Sequence, residues 1–364
     1  MPQMESDPRI ARGCAAHDRA QELRSRGEYV KARIAARRAL GAFEGACGLD
    51  HPDVANLTIG LSEIEAELGN YAQAKRLAAR ACRITQKARN SVPAELRIAA
   101  LNQLATVHRL QGHYDRAEPL FRQALTFAEK HLGRNDLAVA MALNNLAVLY
   151  KFTGKFDQAH KLYRRALAIT QKRLGDDHPD LATLYHNLGG LEHERGRFAR
   201  GEPFARKSVE IRRRARGDNH PEVAADMAAL AALLDGQDKF DEAEQLYHKA
   251  LVIFRRVYGN GHYELAVTYN NLAAIQHKKG NATKAERLYK SSLAIKQKVL
   301  GPRHPDTAMT LNNLAMCYKD QGKFAQARGL LRRAITVFTK SLGANHQNTR
   351  ICRESYDLLR NGRT

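Results

Sequence analysis

The sequence contains no apolar run near the ~18 residues that a membrane-spanning helix needs. Its opening, MPQMESDPRI, lacks the apolar stretch of a secretory signal. Cysteine is scarce. Cys14, Cys47, Cys82, Cys317 and Cys352 stand singly, without a C-x-x-C pair, and an odd, sparse set reads as reduced thiols in a cytoplasmic protein. The usual catalytic signatures are missing too: no G-x-S-x-G, no G-x-x-x-x-G-K-[ST], no G-x-G-x-x-G and no H-E-x-x-H. No enzyme activity and no cofactor are expected. Carboxylates are outnumbered, with 38 Asp and Glu against 59 Lys and Arg, a net charge of +21. That balance favours an acidic partner: acidic peptides, nucleic acid or an anionic surface.

What is present is repetition. In Thr307 to Ile335, Leu311, Leu314, Ala315 and Tyr318 recur at i, i+3, i+4, i+7, the spacing of one apolar helical face. After the break at Gln321-Gly322-Lys323, Phe324, Ala327, Leu331 and Ala334 outline a second helix. Neither stripe can be buried alone, so the unit calls for copies of itself. Shifts of 42 residues carry Asn312-Asn313-Leu314-Ala315 onto Asn270-Asn271-Leu272-Ala273 and, through a degenerate Ala228-Ala229-Leu230-Ala231, onto His186-Asn187-Leu188-Gly189 and Asn144-Asn145-Leu146-Ala147. The turn glycine recurs at Gly280, Gly196 and Gly154 and, with one residue of slack, at Gly112, Gly69 and Gly27. A helix-turn-helix at a fixed period predicts a solenoid, in which each unit touches only its neighbours and a 364-residue chain needs no single core.

The pattern L-x-x-L-A-x-x-Y-x-x-x-G-x-F-x-x-A-x-x-x-L-x-x-A, from Leu311 to Ala334, resembles the tetratricopeptide repeat. The 42-residue period, the NNLA segments and the Gly301-to-Asp306 connector are similar to the kinesin light chain type. The resemblance implies an all-α, right-handed superhelical solenoid whose first helices line a concave groove for short peptides, in that family acidic residues around an aromatic anchor. Kinesin light chains also carry a coiled-coil segment ahead of their repeats. None is visible here, so the array itself is what there is to interpret.

The expected layout is a disordered stretch over 1–9, a worn capping repeat over 10–47, seven repeats over 48–343, and a closing helix with a tail over 344–364. First helices are expected to start near Pro52, Ala94, Asp136, Pro179, Pro221, Tyr263 and Pro305, where proline at the first position gives up no hydrogen bond. Second helices are expected to close at glycines such as Gly133, Gly175 and Gly259 in a left-handed cap, with Asn90 standing in once. Pro119 and Pro203 fall inside second helices, where each removes one hydrogen bond and should bend the helix slightly. Counting the capping repeat as the first, the sixth repeat departs most, with Asp238 for the turn glycine and alanines for the Asn-rich face. It is either a drifted structural repeat or a bend that divides the groove.

His178, His220, His262, His304 and His346 occupy one connector position in successive units. Set ~10 Å apart by helix packing, they cannot converge on a zinc ion, and no metal site is expected. His-Pro-Asp at residues 51–53, 178–180 and 304–306 imitates a J-domain loop, but its recurrence in phase makes it a helix entry.

On each first helix the residue two before the leucine and the one seven further on share a stripe. The first position gives Ile59, Asn102, Asn144, His186, Ala228, Asn270 and Asn312; the second gives Ala66, Arg109, Lys151, His193, Asp235, His277 and Lys319. An asparagine amide offers a donor and an acceptor together, so such a ladder can hold the backbone of an extended peptide whatever its sequence. Neighbouring cations then select acidic side chains or a terminal carboxylate. Asn102, Asn144, Asn270 and Asn312 are expected to face the groove. The adjacent Asn145, Asn187, Asn271 and Asn313 either join them or brace neighbouring helices. The alternative partner is nucleic acid, on the basic second helices with Arg212-Arg213-Arg214 and Arg216 or with Arg76, Arg80, Arg83 and Lys87. The stripe lacks the stacked aromatics of single-strand binders, and Tyr150 and Tyr318 sit at positions expected to be buried.

Overall fold

The computed structural model describes residues 7–26, 28–88 and 92–360. Among them are seventeen α-helices and no strand. The amino-terminal pair is α1 (Pro8–Ser25) and α2 (Tyr29–Cys47). First helices of the repeats are α3 (Pro52–Glu67), α5 (Ala94–Leu110), α7 (Leu137–Phe152), α9 (Asp180–Glu194), α11 (Pro221–Asp235), α13 (Tyr263–Lys278) and α15 (Pro305–Asp320). Second helices are α4 (Tyr71–Lys87), α6 (Tyr114–Leu132), α8 (Phe156–Leu174), α10 (Phe198–Arg216), α12 (Phe240–Tyr258), α14 (Ala282–Val299) and α16 (Phe324–Leu342), and α17 (Gln347–Arg360) closes the chain. Of the stretch expected to be disordered, residues 1–6 lie outside the described residues. The helix begins at Pro8 because the Asp7 carboxylate accepts the Arg9 N–H and caps it.

The chain forms two compact units, Met1–Leu191 with Lys207–His220, and Glu192–Arg206 with Pro221–Thr364. In the first, α1 packs on α2, α3 on α4, α5 on α6 and α7 on α8; α2, α4 and α6 pack on α3, α5 and α7 in turn, and α3, α5 and α7 touch in succession. The second unit repeats this scheme from α11 to α16, with α17 laid on α16. This is an all-α solenoid of helix pairs.

Small residues set the close crossings. Ala117, Ala159, Ala243, Ala285 and Ala327, in phase along the second helices, are fully buried. One column of alanines becomes serine at Ser208 and Ser292, and each hydroxyl donates to a carbonyl of the preceding first helix, Ala182 at 2.9 Å and Ala266 at 2.6 Å. A buried hydroxyl is tolerated there because it is satisfied. Phe121, Tyr163, Tyr247 and Tyr289 fill the larger column.

The helix entries explain the histidines. Nδ1 of His51, His178, His262, His304 and His346 accepts the backbone N–H two residues on, at 3.1 to 3.3 Å. These bonds satisfy donors that a helix leaves orphaned at its start. The glycine exits differ from the left-handed cap expected. Gly175 has φ 84° and ψ 170°, an extended mirror-image conformation that only glycine adopts easily. Asn90 lies outside the described residues. In the sixth repeat Asp238 takes the turn glycine's place at φ 60°, a conformation aspartate tolerates at a cost. Helices α6 and α10 run through Pro119 and Pro203 without interruption.

Successive repeats are stitched by one recurring motif. Glu118 accepts from Lys155, Arg122 and the Tyr150 hydroxyl at 2.9, 3.0 and 3.1 Å. Glu286 accepts from Lys323 at 2.8 Å and Lys290 at 2.6 Å, beside Tyr318. Glu202 accepts from Lys239, Gln237 and Arg206. The Glu202 carboxyl is held down at about 2: burial works against ionisation, and the hydrogen bonds from its three partners outweigh it. Glu286 is likewise held at about 2 by hydrogen bonds from Lys290 and Lys323. Tyr150 and Tyr318 are buried as expected.

Candidate functional site

In the first unit the stripe is carried by α5, α7 and α9. Asn187 Nδ2 donates to Asn144 Oδ1 at 2.8 Å across neighbouring first helices, and Asn144 Nδ2 donates to Asn145 Oδ1 at 3.4 Å. Bracing, one of the two roles open to Asn187, is therefore a role it plays. Asn144 stays half-buried, and its amide nitrogen keeps a second N–H. Asn102, expected to face outward, is only 4% exposed, and neither amide atom has a hydrogen-bond partner. The first helices pack closely enough at this point to cover it.

The carboxyl end of this stripe is cationic. Arg109 lies 5.4 Å and Lys151 5.3 Å from the centre of the Phe152 ring, which also stacks with Tyr114 at 6.3 Å. Phe152 is 45% exposed. Cations over a ring face are attracted by its quadrupole, so this phenylalanine gathers two charges at one place. Lys151 also runs beside Gly190, where a Cβ would come within 3.2 Å of its ammonium. His186 is half-buried on the next first helix. At the amino end of the same stripe lies a cleft of about 290 Å³ lined by Leu137, Met141, Asn144, Asp180 and Leu184. The sequence reading missed Phe152 and this cleft. The signal was available, because the Phe152 position is Glu194, Gly236, Lys278 and Asp320 in later repeats.

The second unit carries its own stripe. Asn313 donates to Asn270 at 3.3 Å, and Asn270 donates to Asn271 at 3.3 Å, the same brace. Asn270 is 8% exposed, so its expected outward position is also not met. Asn312, half-buried, accepts from the Cys352 thiol at 3.0 Å. His277 Nε2 meets Asp320 at 2.8 Å, and Lys278 pairs with Asp235 at 2.9 Å. Lys319 is half-buried. His193 belongs to this unit and packs edge-on against Phe198 at 5.4 Å.

The α10 arginines of the nucleic-acid reading are engaged. Arg213 pairs with Asp218, Arg214 with Glu210, and Arg212 donates to the Thr183 hydroxyl at 3.2 Å. Among the described residues no group of three or more His, Cys, Asp or Glu converges as metal ligands would. None of the described helices is long and apolar enough to cross a membrane.

The profile of the family described as Tetratricopeptide repeat matches residues 12–87, 96–172, 161–200, 180–251, 230–298, 264–340 and 306–355. The chain belongs to the tetratricopeptide repeat family. Solved structures similar to it include kinesin light chain-like proteins. BtubC (BKLC) from P. vanneervenii is 27% identical, over 65% of this chain and 92% of that one, with a TM-score of 0.45. A putative kinesin light chain from Podosopora anserina is 22% identical, over 57% and 98%, with a TM-score of 0.42. A Rap protein solved with Competence and Sporulation Factor is 13% identical, over 96% and 98%, with a TM-score of 0.60, a likeness of fold alone. None of the curated proteins matches the chain.

Proposed function

We propose that this tetratricopeptide repeat protein is a non-enzymatic scaffold that binds extended, acidic segments of a partner protein on its first-helix stripes. The observation that carries the reading is the pairing of half-buried amides with cations on single helices: Asn144 with Lys151 on α7, joined by Arg109 from α5, and Asn312 with Lys319 on α15. An amide that spends its oxygen on a neighbouring helix, as Asn144 does, still has an N–H for a peptide carbonyl. The cations add a charge-assisted contact that an acidic side chain meets and a neutral one does not. The buried Asn102 and Asn270 brace or fill the stripe, while His186, His193 and His277 border it. The ion pairs on α10 disfavour a polyanion reading at that helix.

The test is the double variant Lys151→Ala plus Lys319→Ala, titrated with a pool of fluorescent acidic peptides. A charge-assisted contact is worth roughly 1.5–3 kcal/mol, so affinity should fall tenfold or more. An affinity equal to wild type refutes the proposal.

A further inference from the structure

We infer that the wall formed by α14 and α16 in the second unit binds double-stranded nucleic acid through its phosphates, without regard to sequence. This surface is separate from the first-helix stripes, and the inference does not depend on them. In the second unit α11, α13 and α15 touch in succession while α12, α14 and α16 stand farther apart, so the second helices form a wall of their own. Its charge is one-sided. Helix α16 contains Arg328, Arg332, Arg333 and Lys340 and no carboxylate. The carboxylate on α14, Glu286, is held by Lys290 and Lys323. Arg287, Lys298, Arg332, Arg333 and Lys340 are exposed, and none of these side chains has a hydrogen bond or ion pair among the described residues. The α10 arginines, by contrast, are neutralised by their neighbours.

Helix stability does not account for this pattern. Lys298 and Lys340 lie in last turns, where a cation complements the helix dipole. Arg287, Arg332 and Arg333 lie mid-helix, where it gains nothing. Arg328 stands one turn before Arg332 with the same sign, a pairing that destabilises a helix. A phosphate backbone would neutralise such a wall. The exposed cations fall in two bands: Arg287 with Arg332 and Arg333, then Lys298 with Lys340, in phase on successive second helices. Arg332 and Lys340 are eight residues apart, about 12 Å at ~1.5 Å per residue. The major groove of a duplex is roughly 12 Å wide, so each band can follow one strand. Arginine forks suit phosphate oxygens. Phe324 is the only large apolar side chain exposed on α14 or α16. Stable attachment to a membrane takes an inserted apolar group besides charge, and a single strand takes a row of aromatics. A duplex needs only the cations, since it carries about one charge per 1.7 Å of its axis.

The experiment uses the full chain and fluorescein-labelled DNA duplexes of about 20 base pairs in two unrelated sequences, read by anisotropy. Both should bind alike, and affinity should fall roughly a hundredfold between about 50 and 200 mM salt. The triple variant Arg332→Glu, Arg333→Glu, Lys340→Glu should lose about tenfold or more in affinity and flatten the salt slope by about 3. A second triple variant, Lys161→Glu, Arg164→Glu, Lys172→Glu, lies on exposed positions of α8. It makes the same change in net charge and should lose less than about threefold. Circular dichroism checks that both variants keep their helices. Equal losses in the two would mean that overall charge, not this wall, holds the duplex, and would overturn the proposal. So would an absence of duplex binding at low salt, tighter binding of the single strand, or binding to phosphatidylserine vesicles alone.

Discussion

Replacing Glu286 by glutamine tests whether the stitch between repeats is electrostatic. The carboxylate on α14 accepts from Lys290 one turn on and from Lys323 in the next repeat's turn, and these bonds hold its pKa near 2 instead of the ordinary 4.5. At about 1.36 kcal/mol per pKa unit, that displacement bounds the contribution at roughly 3 kcal/mol. The two ammonium groups are 55% and 41% exposed, so screening by water and salt reduces it to about 1–2 kcal/mol. Glutamine keeps the shape and one acceptor but loses the charge. Because the folded pKa lies below the unfolded one, the stabilisation is complete above pH 4.5 and is lost as pH falls toward 2. Urea unfolding followed by far-UV circular dichroism should therefore show Glu286→Gln about 1–2 kcal/mol less stable than wild type at pH 7. The two should converge near pH 2. An equal deficit at both pH values would mean that packing, not charge, joins these repeats.

Asp238 holds a positive φ that glycine adopts without strain, so Asp238→Gly should raise stability by about 0.5–1 kcal/mol after glycine's extra unfolded-state entropy is subtracted. The midpoint of urea denaturation reads this directly, and a lower midpoint would mean that the aspartate side chain contributes a contact worth more than the strain. His346 caps α17 through Nδ1, and burial lowers its pKa. Its contribution should be present above the unfolded pKa of about 6.5 and lost on acidification through the lower folded value. His346→Asn keeps an acceptor that does not titrate, so its stability should change less than wild type between pH 7 and 5; identical pH profiles would refute this.

The fold was legible because a solenoid repeats its evidence. Helix starts at Pro52, Ala94, Pro221, Tyr263 and Pro305, and every second-helix start from Tyr71 to Phe324, fall where the period places them. Each copy votes for the same boundary. Departures came where one copy's local chemistry decides: Asp136 sits outside its helix because its carboxylate caps Ala138 N–H at 2.8 Å. The stripe was legible in position but not in accessibility. Spacing places Asn102 and Asn270 on the same face as Asn144, yet exposure depends on how closely neighbouring helices approach, which no single helix encodes.

That difference says where recognition should be sought. Residues that keep their column, such as the buried alanines, the capping histidines and the bracing asparagines, are accounted for by packing and hydrogen bonding common to all copies. A site for one particular partner needs residues that break the column. Three breaks fall together: Leu137 where later repeats carry Pro179, Pro221 and Pro305, Phe152 in a column otherwise mostly polar or small, and Gly190 where Val148, Ala232, Ala274 and Met316 stand elsewhere. The first opens a wall of the cleft, the second gathers Arg109 and Lys151, and the third leaves room beside the Lys151 ammonium. Drift would scatter such changes along the array. Their convergence on α7 and its neighbour α9 is what one binding site, built onto a repeating frame, requires.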